Sequence, residues 1–341
     1  MRELRGLTVV PVAAVAGLLL LAVVAPTQTR AIAVPLAVVG AIVGVPHGAV
    51  DHLIPWWWAS SAPAGEPGTG RGGPLTLGLF ALAYASVAAL ALTALLVAPT
   101  AALVAFLALS ALHFGRGEVA TSAERAGRPA PGGRAEQPAA LAHGLVVVGL
   151  LVWARPDQTD PMLRPLSPWL ADAAVRSRSA GLVLVAAVVV TGLVVLLRAG
   201  RRVEAAELGL LAVTFAVAPP LAAFGVYFGA WHALRHTGRL LDLTRRRRED
   251  TGHRDRGWGP SGALLARAAA LPTAGALATM AALWLARDLA SLQAEVGVLL
   301  ALTFPHAAVV WALDRHEALD RHEAGDRHPG GQPVPAPVRR S

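Results

Sequence analysis

The sequence predicts an all-α fold: a multi-pass transmembrane helical bundle of about ten spans, eight at the fewest, with both termini in the cytoplasm. Three observations carry this. Hydrophobic residues make up 55% of the 341 and mean hydropathy is +0.52, more than a soluble core requires. The apolar residues form runs that each approach the roughly 20 residues of a bilayer-spanning helix. The net charge of +8 is carried by arginine without a single lysine, and the arginines fall mostly between the runs.

Taken in order, the first run is 7 to 25, behind M-R-E-L-R, a start that also has the form of a cleavable signal peptide. The second, 31 to 54, ends in G-V-P-H-G-A-V-D-H and closes on Trp56, Trp57 and Trp58, an interfacial aromatic belt. A Gly/Pro-rich connector, 59 to 74, leads to the third and fourth runs, 75 to 97 and 100 to 115. A second connector, 116 to 138, precedes the fifth, 139 to 154. The remaining runs are 180 to 197, 204 to 218, 220 to 238, 262 to 286 and 290 to 313. All are continuous and rich in Ala, Leu, Val and Gly, which suits packed helices rather than the alternating strands of a barrel.

With the N-terminus inside and ten crossings, only Arg30, Arg155, Arg164, Arg176, Arg178 and Arg287 fall outside. That asymmetry is the positive-inside signature. It also removes the reason to infer a nucleic-acid partner from the basic charge, and the block Arg245 to Arg248 reads as a loop against anionic membrane lipid. Residues 1–314 then form one transmembrane domain. Residues 315–341 form a hydrophilic tail, and the D-R-H repeat around His316, His322 and His328 reads as disordered. With no cysteine in the chain, thiolate nucleophiles, disulfides and Cys-based metal sites are excluded.

Outside that repeat and His253, the histidines are His47, His52, His113, His143, His232, His236 and His306, all within or at the ends of apolar runs. An ionisable residue in a span costs a few kcal/mol unless it is neutral, paired or ligated, so it marks a functional candidate. A single one would read as an interhelical hydrogen bond. Seven on five spans, gathered in the cytoplasmic leaflet by the arginine topology, read as one polar site. His232 and His236 are i and i+4, which turns both imidazoles to one helix face, beside Arg235 and Tyr227. His47 and Asp51 share the same spacing, so Asp51 can accept the second ring N–H of His47 or of another ligand. His52 should point away from the metal. Pro46 between Gly44 and Gly48 weakens the helix there.

Imidazoles without sulfur suit iron, copper or zinc alike. A haem-binding electron-transfer protein and a carotenoid or retinal carrier are the competing readings. A zinc hydrolase would need a base near the metal, but H-E pairs occur only in the tail. The clustered H-x-x-H-H boxes of di-iron desaturases are absent.

The blocks G-V-P-H-G-A-V-D-H, S-A-L-H-F-G-R-G-E, L-A-H-G-L-V-V-V, Y-F-G-A-W-H-A-L-R-H and F-P-H-A-A-V-V, in this order, resemble the Brp/Blh family of membrane-embedded β-carotene 15,15′-dioxygenases over residues 36 to 314. The resemblance implies an Fe(2+) enzyme of the cell membrane that splits the central double bond of β-carotene with O2 into two retinal molecules, often beside a microbial rhodopsin. It puts the iron ligands on His47, His113, His232 and His236. His143, His306 and Asp51 match further motif positions and are expected to support the site. Glu118 stands where an aspartate is frequent, and the first run, the long loops and the tail lie outside the match.

Overall fold

The computed structural model describes residues 2–54, 74–128, 134–250, 259–285 and 292–326. Every regular element among these is helical: α1 (Arg2–Val24), α2 (Pro26–Ala31), α3 (Ala33–Gly44), α4 (Pro74–Val97), α5 (Pro99–Arg125), α6 (Gln137–Trp153), α7 (Pro156–Leu163), α8 (Pro168–Arg176), α9 (Arg178–Arg198), α10 (Arg202–Val217), α11 (Pro220–Val226), a π-helical segment (Tyr227–Ala233), α12 (Leu234–Asp250), α13 (Gly259–Leu285) and α14 (Leu292–Asp326). Short 3-10 turns cover Val45–His47, Asp51–Leu53 and Arg134–Glu136.

Among the described residues six stretches are long and apolar enough to cross a membrane: Ala33–Leu53, Leu75–Val97, Pro99–Arg125, Arg178–Arg198, Gly259–Ala282 and Gly297–His316. A seventh is added if α6 and α7, bent by 85°, form one span. The expectation of eight to ten is therefore not met by length and composition, and three predicted runs account for the difference. The apolar part of α1 is the shorter helix Thr8–Val24. The α10 helix has 16 residues and carries Glu204 and Glu207. The run 220 to 238 passes through the π segment into α12, which is polar and arginine-rich. Large apolar side chains such as Leu20, Val38, Leu82, Leu90, Val183 and Leu271 lie exposed on the helix surfaces. So broad an apolar exterior belongs against lipid rather than water.

The helices pack through small residues. α3 crosses α11 and the π segment where Gly40 meets Gly225 and Gly229: a Cβ on Gly40 would stand 2.7 Å from the Gly225 Cα, and one on Gly229 would stand 2.9 Å from the Gly40 Cα. The spacing in both partners is Gly-x-x-x-Gly (Gly40 and Gly44, Gly225 and Gly229), the pattern that lets helix backbones touch. α5 and α6 repeat the device. A Cβ on Gly115 would come 2.7 Å from the Ala140 carbonyl carbon, and one on Gly144 would come 3.1 Å from the Ala111 Cα. Around these crossings the main core joins α1, α5, α6, α9, α10 and α11 through Val15, Phe114, Val146, Val185, Leu208 and Ala223. α14 packs against α4 and α5, with Leu300 buried between Ala91, Leu95 and Ala102.

The predicted second span is not one continuous helix. α3 stops at Gly44, and residues 45–53 form two 3-10 turns around a short turn. Pro46 supplies no backbone N–H to continue the ladder, which is the physical reason for the break. At the other end of the chain α14 runs on past residue 314 to Asp326; the rest of the predicted tail, 327–341, lies outside the described residues.

Because the Gly40 crossing leaves no room for a side chain, Gly40→Val is expected to cost about 1–3 kcal/mol or more. Gly78, with nothing within 4 Å of a built Cβ, should tolerate Ala or gain up to about 1 kcal/mol from helix propensity. Unfolding of the detergent-solubilised variants measures both, and equal stability of Gly40→Val and wild type would refute the close crossing.

Candidate metal centre

The two glycine crossings decide which side chains meet. His47 sits three residues beyond Gly44 and His232 three beyond Gly229, so closing α3 onto the π segment brings them together. His113 lies two residues before Gly115, the residue at which α5 crosses α6. Ring centroids are 5.4 Å apart for His47 and His232, 5.6 Å for His47 and His236, and 5.0 Å for His113 and His232. His306, from α14, enters the same cluster at 4.9 Å from His47, 5.0 Å from His113 and 5.6 Å from His236. All five rings are buried. His232 lies near the end of the π segment and His236 in the first turn of α12, with their rings nearly parallel at 6.4 Å. Such π segments recur at functional sites.

Hydrogen bonding fixes which ring nitrogen is free. His47 Nδ1 contacts the Gly44 carbonyl oxygen, an acceptor only, so Nδ1 carries the proton and the lone pair lies on Nε2. The His113 and His232 Nε2 atoms face one another at 3.2 Å. His236 Nε2 is buried without a hydrogen-bond partner. Buried polar atoms are nearly always satisfied, so an orphan inside a histidine cluster is a feature to be explained.

Clustered neutral imidazoles are a donor set that suits a transition-metal ion. Among the described residues no group of three or more His, Cys, Asp or Glu side chains stands in metal-holding geometry; the rings meet edge to face, apart from the stacked His232 and His236. Their spacing is nevertheless that of ligands. At a metal–nitrogen distance of about 2.1 Å a ring centroid lies about 3.3 Å from the ion, so ligands about 90° to 120° apart have centroids about 4.6 to 5.7 Å apart. Every centroid distance given above falls in that range except His232 to His236. The χ2 torsion of histidine is soft, so nitrogens can turn toward a common point without backbone movement.

The supporting residues divide into two groups. Asp51 does not accept from His47: its carboxylate accepts from His306 Nδ1 at 2.9 Å and from the Tyr84 hydroxyl at 3.2 Å. The broken span is the reason, since the i, i+4 geometry of a regular helix is absent between His47 and Asp51. His52 stands apart from the ring cluster, as expected, with Nδ1 donating to the Ala49 carbonyl at 3.1 Å. Tyr227 and His143 belong to a different polar group behind the π segment. There Arg235 is held by Glu118 and Glu207, each at 2.8 Å, and stacks over Trp231 at 3.9 Å. Arg125 makes a second pair with Glu207 at 2.7 Å, and the Tyr227 hydroxyl donates to Glu118 at 3.4 Å. The electrostatic neighbours of His143 include Glu118, Arg235, Glu207 and Glu204, and it makes none of the ring contacts that join the other five.

Sequence reasoning missed Tyr84 and Glu207. Both carried a usable signal: Tyr84 is one of only two tyrosines in the chain, and Glu207 is a carboxylate within an apolar run.

His47, His113 and His306 line one wall of a cavity of about 1010 Å³, at the upper end of the roughly 300–1,000 Å³ usual for ligand sites. The rest of its wall is almost wholly apolar. Leu103, Phe106, Leu107, Leu151 and Phe224 contribute from α5, α6 and α11, and Phe80, Leu271, Leu299 and Leu302 from α4, α13 and α14. Leu271, Leu299 and Leu302 are also exposed on the outer surface, so the cavity reaches the flank that faces lipid.

The sequence model of the family described as beta-carotene 15,15′-dioxygenase matches residues 36–314. A relative from Halobacterium salinarum, named probable beta-carotene 15,15′-dioxygenase Blh, is 31% identical over 304 residues, covering 82% of this chain and 84% of the relative. No solved structure matches the chain.

Removing Arg235 would strand Glu118 in the bundle interior, and breaking a buried ion pair costs about 3–5 kcal/mol. Arg235→Met should therefore unfold far more readily than wild type, while Tyr227→Phe, which removes one long hydrogen bond, should cost under about 1.5 kcal/mol. Equal unfolding of Arg235→Met and wild type would contradict the pairing.

Proposed function

The chain belongs to the β-carotene 15,15′-dioxygenase family, carotenoid-cleaving dioxygenases, and we propose that it uses iron(II) and O2 to split the central double bond of β-carotene into two molecules of retinal. His47, His113, His232 and His236 would hold the iron. The observation that carries the reading is the convergence of these imidazoles beside an apolar cavity that reaches the lipid-facing flank. Bound ferrous iron would supply the redox step that lets O2 react with a closed-shell polyene.

The chain's own residues do the rest. β-Carotene is a long hydrocarbon without a heteroatom, so its binding rests on apolar burial and shape. The cavity draws its wall from α5, α6 and α11 and from α4, α13 and α14, with His47, His113 and His306 among its lining residues. Such an arrangement suits a symmetric substrate whose middle bond is to be presented to the metal. Phe114 packs edge-on against His232 at 4.8 Å and Phe228 against His47 at 5.5 Å. These rings keep water from the imidazoles. Retinal released into the membrane can serve as the chromophore of a microbial rhodopsin.

The protein is further proposed to lie in the cell membrane with the histidine cluster in the cytoplasmic half, its termini cytoplasmic and the shorter helices α1, α10 and α11 with the π segment crossing along with the longer ones. Arg125, Arg128, Arg201 and Arg239 gather with Glu124, Glu136, Glu204 and Asp314 at one end of the bundle. Arg164 and Arg178 lie at the other. The richer end is inside by the positive-inside rule.

Expression in a β-carotene-accumulating bacterium tests the reaction: the orange colour should fade as retinal appears, and His47→Ala or His232→Ala should abolish both changes. Apocarotenals of unequal length would contradict central cleavage. Sidedness is read from cysteines at exposed sites. Arg246→Cys should be labelled only from the cytoplasmic side and Arg176→Cys only from outside, and the reverse pattern would invert the topology.

A further inference from the structure

His306 shares the geometry of the four proposed ligands, not that of a remote support. Its centroid stands 4.9 to 5.6 Å from those of His47, His113 and His236, as close as the four stand to one another. Its Nδ1 lies 2.9 and 3.1 Å from the two Asp51 carboxylate oxygens. A carboxylate opposite a neutral imidazole accepts the Nδ1 proton, which leaves the lone pair on Nε2. His306 Nε2 is buried and has no hydrogen-bond partner. The backbone is cut to admit the ring, since a Cβ on Gly48 would come within 3.3 Å of His306 Nδ1. Tyr84 donates to Asp51 Oδ2 from α4, so the carboxylate is itself held on a second side.

We propose that His306 is a fifth metal-facing histidine, aimed by Asp51, which Tyr84 in turn anchors. The inference rests on the reading of the cluster as a metal centre and adds one donor to it. The simpler explanation is an interhelical hydrogen bond tying α14 to the broken span. That accounts for Nδ1 but leaves Nε2 as a buried nitrogen without a hydrogen-bond partner. A ligand role accounts for both nitrogens. The arrangement of carboxylate, imidazole and metal is also the usual one for fixing a ligand's tautomer and orientation. In this description Asp51 and Tyr84 are positioning residues that act through His306 and do not touch the metal.

The full-length protein, purified metal-free in detergent and titrated with Co(II), tests this without reference to turnover. Affinity comes from competition with a chelator, and the visible absorption bands of Co(II) report the donor set. His306→Ala should weaken Co(II) binding by more than about 100-fold and alter the bands, and added imidazole should restore both. Asp51→Asn should weaken binding by about 10- to 100-fold while leaving the band positions near those of wild type. Should His306→Ala fail to fold, Asp51→Asn alone decides, and wild-type affinity in that variant overturns the proposal. Wild-type affinity and bands in a folded His306→Ala also overturn it. If wild type binds Co(II), His47→Ala does not and His306→Ala does, the fifth ligand is refuted and the four-histidine reading stands. If His47→Ala binds as well as wild type, the metal-centre reading itself fails.

Discussion

The structure depends on backbones coming closer than side chains would allow. Gly40 against Gly225 and Gly229, and Gly115 against Gly144 with its neighbours Ala111 and Ala140, are crossings in which a single added carbon has nowhere to go. In lipid there is little hydrophobic gain from pressing one apolar helix on another, so close packing of small residues takes over that role. Each crossing lies within three residues of a clustered histidine. The glycines hold the bundle, and the α3 crossing also sets the distance between His47 and His232, which come from elements far apart in sequence.

Polar groups inside such a bundle must answer to one another. The Glu118–Arg235–Glu207–Arg125 chain is balanced in charge and runs behind the π segment that carries His232, while Arg239 bridges Glu124 and Asp314 toward the bundle end. Burying such charges is costly, and the geometry must be good to offset it. Arg235 lies between His232 and His236 in sequence, so locking its guanidinium with two carboxylates and the face of Trp231 also locks the orientation of the helix presenting both imidazoles. Glu118 in place of an aspartate still reaches Arg235 at 2.8 Å.

Much of this was legible in the sequence. Histidines spaced through apolar runs announce a shared polar site because lipid tolerates them only for a reason, and the five that cluster were all singled out. The roles within the set were less legible. The i, i+4 spacing leaves Asp51 able to serve His47 or another imidazole, and the break at Pro46 turns that carboxylate to His306, a residue 255 positions away. No local pattern encodes such a contact. The span count is less legible: α1, α10 and the run into α12 are short or charged by themselves, and only tertiary partners such as Arg125 and Arg235 make Glu207 tolerable inside the bundle.

The central claim is that the buried histidines converge on one non-haem iron. X-ray absorption at the iron edge, with iron content measured on the same purified full-length protein, addresses it most directly. The account predicts about one iron per chain in a shell of imidazole nitrogens at about 2.1 Å, with no haem Soret band in the visible spectrum. Protein that is folded and cleaves carotenoid yet holds no stoichiometric iron, or whose iron sits in a porphyrin, would contradict it.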